Sequence, residues 1–319
     1  MGKVNHIFFI TLVGSVFWCA GSFESLLEFK TTIAAERTKD GNNCSDLTEI
    51  TVSTGSSLGT YSQLARDMEK FLRDECIDLN IRPTSGIEES IDDVYRHPNV
   101  ELGIVQSDLL GSISKKYNVE KLKKVASLDD ARMHVLATDN IKTWSELAGK
   151  SIYIGRADSG TYYTARVLLK ATGIIDKVRL YGEKTDSDEV LLDLAYSKGY
   201  VDAVFLNASV PNERIEKALR RNPNLHLISI PKYFDRRYMR SSIHKDTYPN
   251  QTRAVATVST ETILITYDWN SIEHSEMEKY KYICDAVNLI NHTIEAEFVN
   301  INSNQNDNYL QISDCVDSL

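Results

Sequence analysis

Two stretches of this chain have residues suited to holding an anion. Gly55-Ser56-Ser57-Leu58-Gly59-Thr60-Tyr61 follows one apolar run, and Gly155-Arg156-Ala157-Asp158-Ser159-Gly160-Thr161-Tyr162 follows another much later. Each reads as a strand, a turn of small residues and the start of an amphipathic helix. The first amides of a helix have no partners within it and carry partial positive charge. Glycine and serine let a ligand come close to those amides. Two such starts on two similar halves predict a clamp for a small anion such as a carboxylate. Ser57, Thr60 and Tyr61 are the candidate contacts on one side, and Ser159, Gly160 and Thr161 on the other. The plainer role of Thr60 and Ser159 is to cap their helices.

Three further residues belong with these. Gln106 and Ser107 stand where the buried run Val100 to Val105 ends, the usual ligand edge of a parallel sheet. Asn207 closes the run Val201 to Leu206 and could meet a ligand's amino or carbonyl group, or act as a turn residue satisfying local backbone. Tyr61 is favoured over Tyr162 and Tyr163 for ligand contact.

The elements that position these residues follow from periodicity. Leu47 to Ser53 predicts a strand, and Tyr61, Leu64, Ala65, Met68, Phe71 and Leu72 share a helical face. Leu79 to Pro83 reads as a strand, and Ile87, Ile91, Val94 and Tyr95 as a helix closed by His97-Pro98. With Val100 to Val105 this is β-α-β-α-β, the pattern of a largely parallel sheet. Val125 to Leu128 and Met133 to Thr138 predict two strands. Thr143-Trp144-Ser145-Glu146 is a capping box. The second half then runs from a strand at 151–155 through a helix ending at Gly173, a helix over 187–198, and the strand at 201–206. Pro211 suits the first turn of the next helix, and a strand follows at 225–230. The basic, aromatic run from Lys232 to Arg240 reads as a solvated face, with contact to a protein partner or an anionic surface as the alternative. Ala254 to Tyr267 is long for one strand and could cross between two lobes. A helix near 274–294 should return the chain to the first.

Composition narrows the function. A chain of 319 residues with 42% hydrophobic and 25% charged residues can build two lobes with separate cores. A formal net charge of −9 argues against a nucleic-acid partner. There is no H-E-x-x-H or Walker A motif, and the seven histidines show no metal spacing, so no enzyme and no cofactor is predicted. Lys3, the apolar run Ile7 to Phe17 and small residues at 20–22 predict a signal peptide over residues 1–21 and export to the periplasm or cell exterior. The alternative, a lipid anchor on Cys19, is disfavoured by the bulky Val16-Phe17-Trp18. The remaining Cys44, Cys76, Cys284 and Cys315 allow three connectivities; Cys44–Cys76 with Cys284–Cys315 pairs cysteines of one region. No C-x-x-C points to zinc or redox chemistry.

The ordered set of motifs resembles the TAXI proteins, extracytoplasmic solute-binding subunits of TRAP transporters. Ser53 to Tyr61 is similar to their opening motif. Thr84-Ser85-Gly86-Ile87-Glu88-Glu89-Ser90, Gly103-Ile104-Val105-Gln106-Ser107-Asp108, and Leu147 to Gly155 with Asp158-Ser159-Gly160-Thr161 follow in family order, as do Val201-Asp202-Ala203-Val204-Phe205 and Pro211-Asn212. The resemblance spans residues 47–270. It implies an α/β, two-lobed periplasmic-binding-protein-like (type II) fold with two crossing hinge strands. The first lobe would take residues 22–137, the second 138–252, and the return strand and C-terminal part of the first lobe 253–319. It also implies capture of a small organic anion (glutamate, glutamine or 2-oxoglutarate-like), by a monomer that delivers it to membrane TRAP permease subunits. A secreted binding or interaction protein without a permease is the alternative. Ser53 and Ser56 stand where the family usually has glycine, and Ser209-Val210 replaces its usual Gly-His.

Overall fold

The computed structural model describes Cys44 and residues 47–297, apart from 58, 98, 115, 182–183, 185–189, 192, 195, 197, 233–236 and 270–276. The expected signal peptide, Cys19, Cys315 and the C-terminal tail lie outside the described residues, and the expected 187–198 helix lies partly outside them. All described residues but Cys44 fall in one compact unit, Asp46–Leu319.

The first lobe has the expected alternation. Strand β1 (Thr48–Ser53), helix α1 (Thr60–Leu72), β2 (Ile77–Arg82), α2 (Ile87–Arg96) and β3 (Leu102–Gln106) follow in order. β1 pairs in parallel with both β2 and β3. Ile50 and Val52 of β1 are fully buried beneath Ala65, Met68 and Leu72 of α1. A short helix, α3 (Ser107–Ile113), follows β3 without a loop, where the sequence reading has only the strand end.

Residues 122–137 correct the expectation of two strands. They form one continuous strand, β4 (Leu122–Ala137). The polar Asp129-Asp130-Ala131-Arg132 interrupts the apolar alternation but contains no glycine or proline to end the ladder. These four residues lie opposite Thr262, Glu261, Thr260 and Ser259 of the antiparallel β10 (Val255–Tyr267). β10 crosses as expected. Its first half pairs with β9 (Met239–Ile243) and its second half with β3.

The second lobe contains β5 (Ser151–Tyr153), α4 (Gly160–Ala171), β6 (Arg179–Leu180), β7 (Ala203–Ala208), α5 (Glu213–Arg221) and β8 (His226–Leu227). The sheet order is β2-β1-β3-β10-β4-β7-β5-β6. β4 and β10 thus run through both lobes, the arrangement of a type II periplasmic-binding-protein-like fold. The capping box at Thr143 and Glu146 is present. Pro211 stands two residues before the first helical residue, outside the first turn; Asn212 is the N-cap of α5 and accepts from the Ile215 amide. The 225–230 strand shrinks to the two residues of β8. The run from Lys232 is not simply a solvated face: its end forms β9, and Tyr238 is buried. Helix α6 (Met277–Glu297) buries Ile283, Val287, Ile290 and Ile294 in the first-lobe core, as expected of a returning helix. Cys44, Cys76 and Cys284 are each disulfide-bonded, as any of the three connectivities would give.

Candidate ligand-binding cleft

The first anion turn is shaped by its glycines. Gly55 holds a left-handed φ of 63°, and its amide donates to Thr84 Oγ1 (3.0 Å) and Ser90 Oγ (3.1 Å). Gly59 is the N-cap of α1, and no side chain caps that helix. Thr60 is therefore not a cap; its Oγ1 accepts from Arg214 Nη2 across the cleft (3.0 Å). Ser53, at a position where glycine was the usual residue, is fully buried and donates to Asp93 Oδ2 (2.8 Å), which also accepts from Arg82 Nε (2.8 Å). Its hydroxyl anchors the strand end from behind.

The second turn differs. Ser159 caps α4 by accepting from the Tyr162 amide (3.2 Å). Gly155 has φ 97°, and a Cβ there would lie 2.6 Å from Ser159 Oγ. A Cβ on Gly160 would lie 1.3 Å from Gln106 Oε1 of the other lobe. Only glycine lets the lobes approach this closely.

A cavity of ≈ 100 Å³ lies between the two turns, room for a ligand on the order of ten heavy atoms. Seven expected residues line it: Thr60, Tyr61, Gln106, Ser159, Gly160, Thr161 and Asn207. Two do not. Ser57 is exposed, and its carbonyl accepts from Arg66 Nη1 (3.3 Å). Ser107 is the half-buried first residue of α3. Thr161 is partly engaged, since its Oγ1 accepts from the Asn207 amide (3.0 Å). Asn207 lies within β7, so it is not a turn residue.

Sequence reasoning missed three contributors. Arg156 and Arg214, both half-buried, line the cavity from the second lobe, and Ser85, Gly86 and Ile87 line it from the start of α2. Arg156 was visible inside the second turn itself. Arg214 could have been found as the cation just past the N-cap that follows the Asn207 strand. Among the described residues no Asp or Glu lines the cavity, so their charged contribution to it is wholly cationic.

The lobes are closed on one another. Arg156 Nη2 donates to the Ser85 carbonyl (2.6 Å), and the Ile87 amide to the Asp158 carbonyl (3.1 Å). Tyr163 Oη donates to Glu88 Oε1 (2.9 Å), and Thr164 Oγ1 to Asp108 Oδ2 (3.1 Å). Burial pushes the Asp108 carboxyl up to about 6, against the opposing hydrogen bonds from Tyr238 and Thr164. Burial, and then the nearby Asp108 and Asp129, hold the Tyr61 hydroxyl well above its ordinary value, so it stays an O–H donor. Among the described residues no cluster of three or more His, Cys, Asp or Glu could hold a metal, and no helix is long and apolar enough to cross a membrane.

Two lobes joined by two crossing strands and closed over a small cavity define a fold of the periplasmic-binding-protein-like type. The chain belongs to the NMT1-like family, whose model matches residues 52–274. It is also similar to solved structures. One is a protein from Bordetella bronchiseptica RB50 (12% identity over 78% of this chain and 70% of that one, TM-score 0.49). Others are the periplasmic aliphatic sulphonate binding protein SsuA from Escherichia coli (11%, 79% and 75%, 0.44) and lipoprotein Tp32 from Treponema pallidum (15%, 75% and 90%, 0.42).

Proposed function

We propose that this protein is an extracytoplasmic solute-binding protein. It captures a small organic anion (glutamate, glutamine or 2-oxoglutarate-like) and, as a monomer, passes it to the membrane subunits of a TRAP-type transporter. The observation that carries this reading is the cavity: an uncapped helix start on one lobe, two guanidinium groups on the other, and no carboxylate in the wall among the described residues.

The physical argument runs through those donors. A carboxylate set against the first amides of α1 meets unpaired N–H groups and the positive end of the helix. Arg156 and Arg214 face it from the second lobe. Each charge-assisted hydrogen bond contributes about 1.5–3 kcal/mol net. Three or four of them approach the roughly 8 kcal/mol of micromolar binding. A ligand gains the full set only when the lobes meet, so it favours the closed form by its extra affinity for that form. Disulfide-bonded cysteines fit an oxidising, extracytoplasmic setting.

Native mass spectrometry tests this reading. Protein purified without denaturant should carry a small acid that is lost on unfolding, or should take up one equivalent of glutamate, glutamine or 2-oxoglutarate. Protein that carries nothing and takes up none of the three contradicts it.

A further inference from the structure

Two carboxamides at the cavity wall, one from each lobe, meet at a single hydroxyl. Gln106 Nε2 donates to Thr260 Oγ1 at 2.9 Å, and Asn207 Nδ2 donates to the same oxygen at 2.7 Å. All three residues are buried, at 1%, 9% and 1% exposure. Thr260 lies on β10 opposite Ala131 of β4, in the stretch where the two strands pass from one lobe to the other. Gln106 Oε1, which packs against Gly160, and Asn207 Oδ1 are fully buried with no hydrogen-bond partner among the described residues. Both side chains line the cavity.

The hydroxyl limits how these amides can be arranged. It carries one hydrogen and two lone pairs, so it can accept from two N–H groups but donate to only one oxygen. Whichever way round each amide is placed, at least one must donate to Thr260 and keep its own oxygen as an acceptor at the wall. A carboxylate oxygen brought against that acceptor is repelled, whereas an amino or hydroxyl group satisfies it. A buried acceptor discriminates strongly against a ligand that cannot pair it.

We propose that Thr260 is a positioning residue that sets the carboxamides of Gln106 and Asn207 as acceptors, so that the cleft favours an anion bearing an N–H or O–H donor over the same anion without one. This rests on the anion-capture reading above, and within that reading it places amino and hydroxy acids ahead of a bare or keto dicarboxylate.

The test is calorimetric titration of wild type, Thr260→Val and Thr260→Ser with glutamate, 2-hydroxyglutarate and glutarate. Wild type should bind one or both donor-bearing acids at least about tenfold more tightly than glutarate. Thr260→Val should reduce that preference to within about twofold, and Thr260→Ser should restore it. Wild type that binds glutarate equally well, or a valine variant that weakens all three acids in the same proportion, overturns the positioning role. Wild type that binds none of the three overturns the capture reading instead. The side-chain amide resonances of Gln106 and Asn207 supply a readout without ligand. Thr260→Val should shift both pairs and Thr260→Ser should not; unmoved pairs in the valine variant overturn the proposal.

Discussion

The turns at residues 55–60 and 155–160 look alike in sequence but are unequal in structure. The first ends in Gly59, and no side chain caps α1 by a hydrogen bond. The second ends in Ser159, whose hydroxyl already takes the Tyr162 amide. The first lobe therefore offers backbone donors, while the second has spent part of its helix start on its own cap. What the second lobe brings instead is Arg156 and Arg214. Two similar strings thus present different groups: the first an uncapped helix start, the second a capped one with Arg156, to which α5 adds Arg214. A shared motif predicts a shared backbone path more securely than a shared contact.

The largest test of this contrast is at the glycines. Gly160→Leu places side-chain atoms where Gln106 stands, since even a Cβ would be 1.3 Å from Oε1. Ligand binding should be lost in calorimetry, and small-angle scattering should show a chain that stays expanded when ligand is added. Gly59→Ala meets only the Ser56 carbonyl, at 3.0 Å, and should lower affinity far less. Equal effects of the two substitutions would erase the distinction between the turns.

Next come the cations. Arg156→Ala and Arg214→Ala should each weaken anion binding by roughly tenfold or more, the worth of one charge-assisted hydrogen bond. Both effects should shrink as salt rises, because the side chains are half-buried and partly screened. Affinity unchanged in both variants would return the second lobe's role to its backbone.

A third test concerns the contacts behind the second turn, where Thr164 meets Asp108. Burial raises Asp108 to about 6, so its stabilising contribution is complete below the ordinary carboxyl range near pH 4 and is lost as pH rises through about 6. Burial lowers His134 to about 4, so its contribution is complete above about 6.5 and is lost as pH falls through about 4. The two slopes oppose each other over this window, each worth on the order of 3 kcal/mol. Wild-type Tm should therefore change little between pH 7 and 4.5. Asp108→Asn leaves the histidine slope alone, and its Tm should fall by several degrees more on acidification. Parallel Tm profiles for the two proteins would remove this account of Asp108.

The smallest effect belongs to the cap itself. Ser159→Ala should lower stability by about 1 kcal/mol, read as a lower Tm, with affinity within about twofold. Thr60→Ala should leave Tm nearly unchanged, since Thr60 caps nothing. A large affinity loss in Ser159→Ala would show that its hydroxyl holds ligand rather than helix.

Much of the fold was legible because its signals are local. The alternation around Ile50 and Val52, the helical face of Ala65, Met68 and Leu72, and the Thr143–Glu146 capping box each reflect short-range chemistry. β4 was misread as two strands because Asp129 and Asp130 look like a break. They sit instead where strands pass between lobes, and their partners on β10 are far away in sequence. The cavity lining was legible where it comes from turns and strand ends, as at Thr60, Gln106 and Asn207. It was least legible at Arg214, whose place depends on how α5 of the second lobe is set against the first, whereas Arg156 stands inside the second turn itself. Ser57 shows the converse: a residue type suited to the chemistry, turned outward by the turn it helps to make.

Crystallising the protein with glutamate tests the split clamp most directly. One carboxylate of the ligand should lie between the two turns, within about 3 Å of the first amides of α1, with Arg156 or Arg214 facing it from the other lobe. Ligand density elsewhere on the molecule, or a cavity wall that holds no anion at saturating glutamate, would contradict the account.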